Sequence, residues 1–398
     1  PNPFFNESSL YLKYPPFDKI KNEHYAPAFE LGMKQHMQEI DSIALDQNMP
    51  SFKNTILSME KAGSLLDRVS TVFYALTSAH TNDEMEKVRS EMAPKLSAHS
   101  DKILLNDALF QRINTLYDNR MNLDLGNEGV RLVEKYHTSF IRAGAKLNAE
   151  QKERLKSINS EIAVLQTNFS QNVLKEVNAL AIVVDSKKEL EGLSKSAIES
   201  ASNEAKSRGM EGKYVIALKN TSGQPSLSSL KNRELRERIH TTSLSRGSRG
   251  GEFDNREILT NVLRLRAEKA KLLGYENHAA YTLEVQTAQT PQAVNERLRS
   301  LAPKSLANAK REASDLQEMI NASGESFSLS SWDWDFYTEK VRAERYSFDA
   351  SQLKPYFEMN NVLQNGVFFA ANQLFGLSFT ERFDLPTYQE DVRVFEVF

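Results

Sequence analysis

The sequence predicts a mainly α-helical chain with only brief β-structure. Three observations carry this expectation. The 398 residues include just 16 Gly and 12 Pro, so the residues that interrupt regular structure are sparse and helices can run long. Apolar side chains recur at steps of three and four, the spacing of one helix face. Ser, Thr, Asp or Asn precedes one such run after another, where its side chain can accept from the free N–H groups of a first turn.

Composition excludes several classes. Apolar residues make up 40% and charged residues 26%, and no repeat points to a solenoid. A net charge of −3 gives no basic field for nucleic acid or anionic lipid. No window approaches the about 18 apolar residues of a membrane span, so neither a membrane nor a nucleic acid is an expected partner. The absence of Cys excludes disulfides and thiol catalysis. The first 20 residues lack the basic and apolar regions of a signal peptide. A cytoplasmic location is expected; the periplasm is the alternative should a leader have been removed, since the chain opens on Pro1.

Taken in order, residues 1–17 read as an extended leader lying on the body, with Pro15–Pro16 blocking helix. A helix is expected from near Asp18, with Tyr25, Phe29, Met33, Met37 and Ile40 as its stripe. A second runs from Ser51 to Leu76, a third follows His80–Asp83, and a fourth covers Asn106 to Arg120. Asn148 and Gln151 form a capping-box pattern ahead of Leu155, Ile158, Ile162, Leu165 and Phe169. That seam is expected to pair in a hairpin with the preceding helix, which carries Leu132–Val133 and Phe140–Ile141. The β excursion is Ala181–Val184 and Tyr214–Leu218, two short apolar runs around a helix from Lys195 to Arg208. Asn220–Ser229 reads as a loop, and Lys231–Leu244 as a helix whose run Arg233–Arg238 forms a solvated charged face. Arg246–Gly251 reads as a solvated, flexible linker, with RNA binding as its alternative.

The stretch Asp254–Tyr281 has the most coherent local signals. Asp254 is placed to cap, with Glu257 reaching back. Ile258, Leu259, Val262, Leu263, Ala270 and Leu273 form an apolar face. Lys269 and Lys271 suit the negative end of the helix dipole, and Gly274 supplies the stop. Thr290–Pro291 opens the next helix, which Pro303 divides or kinks. Asp333 caps a helix bearing Trp334, Tyr337 and Val341. Asn360 or Asn361 caps another that runs to Gly376. Asp391–Phe398 reads as a strand with no evident partner.

Specific phrases point to a family. Asn255–Ile258, Leu265–Arg266, Ala270–Tyr275 and Ala280–Tyr281 resemble the thimet oligopeptidase family of zinc metallopeptidases. Pro50–Ile56 also resembles the family, where it belongs to the N-terminal helical layer, and Trp332–Trp334 and Leu353–Phe357 are similar to its bacterial peptidyl-dipeptidase (dipeptidyl carboxypeptidase) branch. The resemblance implies a multi-helix array like the N-terminal part of the neurolysin/thimet oligopeptidase clam-shell fold. Its implied regions are a helical layer (1–145), a hairpin with the β excursion (146–250), a channel wall (251–376) and the start of a β-containing catalytic domain (377–398). The implied activity is zinc-dependent release of C-terminal dipeptides from short unstructured peptides.

The chemistry itself is missing from the sequence. A zinc peptidase of this type needs HExxH, two imidazoles one helical turn apart with a carboxylate beside the first. The seven histidines are His24, His36, His80, His99, His137, His240 and His278; none precedes Glu, and no two are four residues apart. Neither a GxSxG elbow nor a Walker-type loop is present. No catalytic or metal-binding residue is therefore assigned, and the substrate contacts are unknown. The Trp332–Trp334 and Leu353–Phe357 aromatics are expected to be buried packing residues, with a peptide-channel lining as the alternative. The whole reading is the N-terminal, substrate-channel portion of such an enzyme, with zinc held by, and the partner being, a C-terminal catalytic part. This chain alone is expected to bind no zinc and to be inactive. The alternative is a non-catalytic helical peptide-binding or scaffold module.

Overall fold

The computed structural model describes residues 2–219, 225–347 and 350–398. Helices dominate, and two two-stranded antiparallel sheets complete the regular structure. In chain order the elements begin α1 (Tyr25–Ala44), α2 (Ser58–Lys61), α3 (Ser64–Ala79), α4 (Asp83–Leu104), α5 (Asp107–Asn119), α6 (Asn127–Ala143) and α7 (Ala149–Ala179). Then come β1 (Ala181–Val184), α8 (Lys195–Ser207), β2 (Tyr214–Ala217), α9 (Pro225–Ser229), α10 (Arg233–Leu244), α11 (Arg256–Leu272) and α12 (His278–Leu283). The last are α13 (Pro291–Ala322), α14 (Trp334–Tyr346), α15 (Met359–Asn361), α16 (Phe369–Phe375), β3 (Phe379–Arg382) and β4 (Val394–Val397). Two compact units emerge: residues 1–168, 261–281 and 367–398 form the first, and residues 169–260 and 282–366 the second.

In the first unit α1 is the shared spine of two apolar clusters. Its N-terminal half sends Tyr25, Ala28 and Phe29 against Leu65, Val69 and Phe73 of α3 and Met85 and Met92 of α4. Phe73 meets Tyr25 and Phe29 edge-on at ring centroid distances of 5.0 and 5.2 Å, the arrangement aromatic quadrupoles favour. The C-terminal half sends Ile40 and Ile43 against Leu109, Ile113 and Leu116 of α5 and Val133 and Phe140 of α6. Each large side chain buried this way contributes on the order of 1.5–3 kcal/mol. The leader lies on this unit as expected: Phe4 is buried in the first cluster, and its carbonyl accepts from Arg68 at 2.8 Å.

Several boundaries differ from the expectation. Helix α1 starts at Tyr25 rather than near Asp18, because Pro27 is tolerated in a first turn but not in a helix interior. The helix expected over Ser51–Leu76 is broken. Gly63 adopts φ +80°, its N–H donates to Glu39 at 2.7 Å, and α3 begins on the next residue. α6 takes α5 as a packing partner, which the hairpin expectation did not foresee. Asn82 and Asn106 cap α4 and α5 through their side chains, and the Asn148–Gln151 capping box forms in both directions at 2.9 and 3.1 Å.

The C-terminal strand does have a partner. β4 pairs antiparallel with β3, with Phe379 opposite Val397 and Arg382 opposite Val394. The β3 run, Phe-Thr-Glu-Arg, escaped notice because two of its four residues are charged. Each finds a partner across the sheet: Arg382 pairs with Glu396 at 2.6 Å and Glu381 with Arg393 at 2.6 Å. Phe368 stacks on Phe379 with centroids 4.1 Å apart. The cap ahead of α15 is Glu358, whose carboxylate accepts from the N–H groups of Asn360 and Asn361 at 3.1 and 2.9 Å.

In the second unit β1 and β2 pair antiparallel, Ala181 opposite Ala217, as the two apolar runs suggested. Ile182 and Val184 join Leu190, Ala201, Leu218, Leu227, Leu235 and Ile239 in one core. The expected loop over Asn220–Ser229 is partly helical, since Pro225–Ser229 forms α9; residues 220–224 lie outside the described residues. α13 runs through Pro303 without division, capped by Thr290, whose hydroxyl accepts from Ala293 N–H at 3.2 Å. Only its C-terminal third is anchored, through Leu316 and Ile320 packing on Tyr337 of α14.

Candidate functional site

The histidines are dispersed. His36 and His99 face each other, Nε2 of His99 lying 3.0 Å from Nδ1 of His36. Burial lowers both imidazoles, and the neighbouring His36 and Lys102 charges help push His99 down to about 4. His137 is sandwiched on Tyr117 with centroids 3.7 Å apart, its Nε2 lying 3.2 Å from Asn114 Oδ1. His24 Nδ1 accepts from Lys21 N–H, which serves the turn before α1. His80 is exposed beside Tyr388. His240 lies near Trp332, and His278 near Tyr281.

The chemistry-bearing side chains that do converge lie within the first unit, around a cavity of about 520 Å³. Asp101 of α4 faces Asn159 of α7, whose amide donates to Asp101 Oδ1 at 2.7 Å. The amide oxygen of Asn159 in turn accepts from Lys269 of α11 at 2.6 Å. Asp101 is only 7% exposed, and its Oδ2 is buried with no hydrogen-bond partner. Burial raises the Asp101 carboxyl against the opposing pull of Asn159 and Lys269, and burial lowers the Lys269 ammonium against the pull of Asp101. Arg142 of α6 forms the far wall. It donates to the Tyr281 carbonyl at 2.7 Å and to the Tyr275 hydroxyl at 3.3 Å, and stacks over the Tyr281 ring at 4.4 Å.

This changes the reading of Asp254–Tyr281. The stop is as expected: Gly274 at φ +85°, with Tyr275 N–H bonded to Ala270 O and Gly274 N–H to Lys271 O. The start is shifted by one residue. Asn255, not Asp254, flanks the first turn, and it is buried where its amide bonds to Phe169 O and Asn172. Asp254 still accepts from a first-turn N–H, that of Arg256 at 2.9 Å, and pairs with the Arg256 guanidinium at 2.6 Å, but no capping box with Glu257 forms. The buried face is Val262, Leu265 and Ala270, whereas Leu259 and Leu263 are 49% and 56% exposed. Lys269 lies on the inner side, so it is a cavity residue and not merely a dipole-matched surface cation.

In the second unit the charge run Arg233–Arg238 is not the solvated face its alternating signs suggested. Arg236 is 1% exposed and Asp333 fully buried, and they pair at 2.9 Å. Arg233 grips the same carboxylate at 2.8 Å, while Arg236 also donates to the carbonyls of Leu230, Lys231 and Trp332. Burial alone would raise the Asp333 carboxyl; the hydrogen bonds from Arg233 and Arg236 outweigh it and hold the group below the usual range. Phe327 and Phe336 cover the two guanidinium planes at 4.1 and 4.2 Å. The arrangement is a staple between α10 and the turn ahead of α14, with every carboxylate oxygen engaged. The Arg246–Gly251 tract is likewise pinned rather than free: Gly247 N–H donates to Glu176, Asn255 N–H to Gly247 O, and Gly250 N–H to Asp254. Of the expected buried aromatics, Trp332 and Trp334 are half-buried, but Tyr356 and Phe357 are 72% and 67% exposed.

With this geometry in place, sequence comparison supplies the context. Residues 226–398 match the family model of peptidase family M3. Over 397 residues the chain is 42% identical to dipeptidyl carboxypeptidases of Salmonella typhimurium and Escherichia coli, covering all of this chain and 58% of each relative. It is 27% identical over 391 residues to oligopeptidase A of Escherichia coli, covering 97% of this chain and 57% of that relative. The similarity to the dipeptidyl carboxypeptidases holds from end to end, whereas the M3 family model matches only residues 226–398. The chain spans well under two thirds of the length of the curated relatives it matches.

An M3-like sequence implies a catalytic zinc, which the residues present do not fit. Among the described residues no group of three or more His, Asp or Glu side chains is placed to hold a metal ion. The one close imidazole pair, His36–His99, turns a nitrogen of each ring toward the other. No chemical step is assigned to a metal in this chain. The Asp101–Asn159–Lys269 chain escaped sequence reading because its members come from three helices. One local signal was available: Lys269 falls seven residues after Val262 and four after Leu265, which puts a cation on the apolar stripe of α11.

Proposed function

We propose that the chain is the N-terminal, substrate-channel portion of a zinc-dependent peptidyl-dipeptidase that releases C-terminal dipeptides from short unstructured peptides. The observation that carries this reading is 42% identity along the whole chain to relatives named dipeptidyl carboxypeptidase. The zinc site and its base belong, in this reading, to a C-terminal catalytic part, with 251–376 serving as a channel wall. Surface chemistry supports the idea that more polypeptide covers this chain. Tyr356, Phe357 and Met359 in the second unit are 72%, 67% and 69% exposed. In the first unit Phe369, Leu374 and Phe375 are 60%, 74% and 74% exposed. Clusters of large exposed apolar side chains mark surfaces built to be covered.

The test is a peptidase assay on this chain with zinc added and then chelated, beside the same assay on the chain joined to the sequence that follows it in the gene. Chelator-sensitive dipeptide release by the joined protein alone is the expected result. Zinc-dependent cleavage by the 398-residue chain itself would overturn the division of labour. Peptide binding without cleavage by the joined protein would favour a non-catalytic peptide-binding or scaffold module. The reading places the enzyme in the cytoplasm, with the periplasm as the alternative, and cell fractionation separates the two.

A further inference from the structure

The leader is fixed at both ends and spans open space between them. Phe4 is buried in the first apolar cluster, and its carbonyl accepts from Arg68 of α3 at 2.8 Å. Phe17 packs on the same cluster and meets Tyr14 and Tyr388 edge-on, each at 5.6 Å between ring centroids. In between, Asn6–Leu10 face the turn Phe383–Pro386 across a cavity of about 590 Å³. All of these residues belong to the first unit. A segment pinned at its ends and poorly supported in its middle can open locally without unfolding its neighbours.

Beyond that span one side chain ties the leader to the C-terminal hairpin. The Tyr11 ring lies under the Arg382 guanidinium at 4.8 Å, and hydrogen bonding to the Glu396 carboxylate raises its phenol. Arg382 and Glu396 pair across β3 and β4, so Tyr11 sits on the ion pair that joins the two strands. The chain reaches this position through a turn that works against it. Leu12 and Lys13 take φ +50° and +62°, two successive non-glycine residues in the left-handed region. The Leu12 side chain is 80% exposed, and Lys13 makes only an exposed pair with Glu7 at 3.3 Å, so neither side chain anchors the turn. A conformation of this kind persists where its surroundings impose it. The β3–β4 sheet, for its part, has two strands. Two strands alone are marginally stable in water, so the hairpin depends on what packs over it.

We propose that the leader is a strained strap that seats the β3–β4 hairpin on the helical layer, with Tyr11 as its latch and the Leu12–Lys13 turn favouring release. Closed, the strap covers the cross-strand ion pair; open, it relaxes the turn and leaves the hairpin to loosen. The inference rests on the leader and the hairpin and stands whether or not the chain serves a peptidase. The test is amide hydrogen exchange of the 398-residue chain, comparing residues 379–382 and 394–397 with α5 as the internal reference. Tyr11→Ala is expected to speed exchange in the hairpin about tenfold, because the ring and the hydrogen bond to a carboxylate are both lost. Tyr11→Phe, which keeps the ring, is expected to speed it about threefold. Leu12→Gly is expected to slow it about twofold or more, because glycine adopts the left-handed turn without strain. That sign separates a strained strap from ordinary packing, where a glycine in place of leucine would loosen the segment. Unchanged hairpin exchange in Tyr11→Ala, or faster exchange in Leu12→Gly, would overturn the proposal. Acceleration shared equally by α5 would mark global unfolding in place of an opened strap and would overturn it as well.

Discussion

The Arg233–Arg236–Asp333 staple allows a stability prediction with a worked magnitude. Asp333 is fully buried and accepts from Arg233 at 3.0 and 2.8 Å, from Arg236 at 2.9 Å and from Ser330 N–H at 3.1 Å. Asp333→Ala removes all of these hydrogen bonds at a stroke. Arg233 can swing outward, because its side chain is 32% exposed. Arg236 cannot, because it is 1% exposed and tied to three backbone carbonyls. The substitution therefore strands one buried cation, and breaking such a pair on one side costs about 3–5 kcal/mol. Arg233→Ala, which removes the partly solvated member, is expected to cost about 1 kcal/mol plus its lost packing on Phe327. Replacing the buried pair together, Arg236→Met with Asp333→Leu, is expected to recover most of the loss, since an apolar substitute for a buried ion pair is often neutral. The assay is urea unfolding followed by tryptophan fluorescence. The chain has only two Trp, and Trp332 and Trp334 flank Asp333, so the signal reports this unit even if the two units melt separately. A loss below about 1 kcal/mol for Asp333→Ala, or an equal loss for Arg233→Ala, would refute the claim that stranded charge sets the cost.

Two further outcomes are expected. His99 is held near 4 by burial in the fold, whereas an unfolded imidazole titrates near 6.5, so the fold favours the neutral ring. The stability this provides is fully present above about pH 6.5 and erodes as pH falls toward about 4, and His36 acts in the same direction. The loss is bounded by about 3 kcal/mol and reduced by solvent screening; denaturation at pH 7.5 and pH 4.5, with a flat result, would discard it. Gly32→Ala is expected to destabilise by about 1–3 kcal/mol despite alanine's better helix propensity, because overpacking outweighs it. Its Cβ would lie 2.9 Å from the Leu66 backbone where α1 crosses α3, and a raised melting temperature would show that the crossing yields.

Local sequence determined much of this protein, because the interactions involved are local. Asn82, Asn106, Asn148 and Thr290 cap the helices they precede, since a cap bond reaches only two or three residues. Gly274 ends α11 and Gly376 ends α16 in left-handed conformation, a preference intrinsic to glycine. The mainly helical class and the β1–β2 pair follow from apolar spacing, and the family resemblance from helix phrases. Tertiary structure alone decided which charges are buried. Arg233 and Arg236 sit in a run whose alternating signs suit solvent, and only Asp333, about a hundred residues on, turns them into a core. Asp101 and Lys269 belong to different helices, and nothing in either local pattern says that Asn159 will stand between them. β4 found its partner in β3, a run too charged to read as a strand until its cross-strand ion pairs are seen. Even the coherent Asp254–Tyr281 stretch was legible in its stop but not in its inner face. Periodicity locates an apolar stripe, while the neighbours that cover it decide which edge is buried, and so whether Lys269 meets water or a carboxylate.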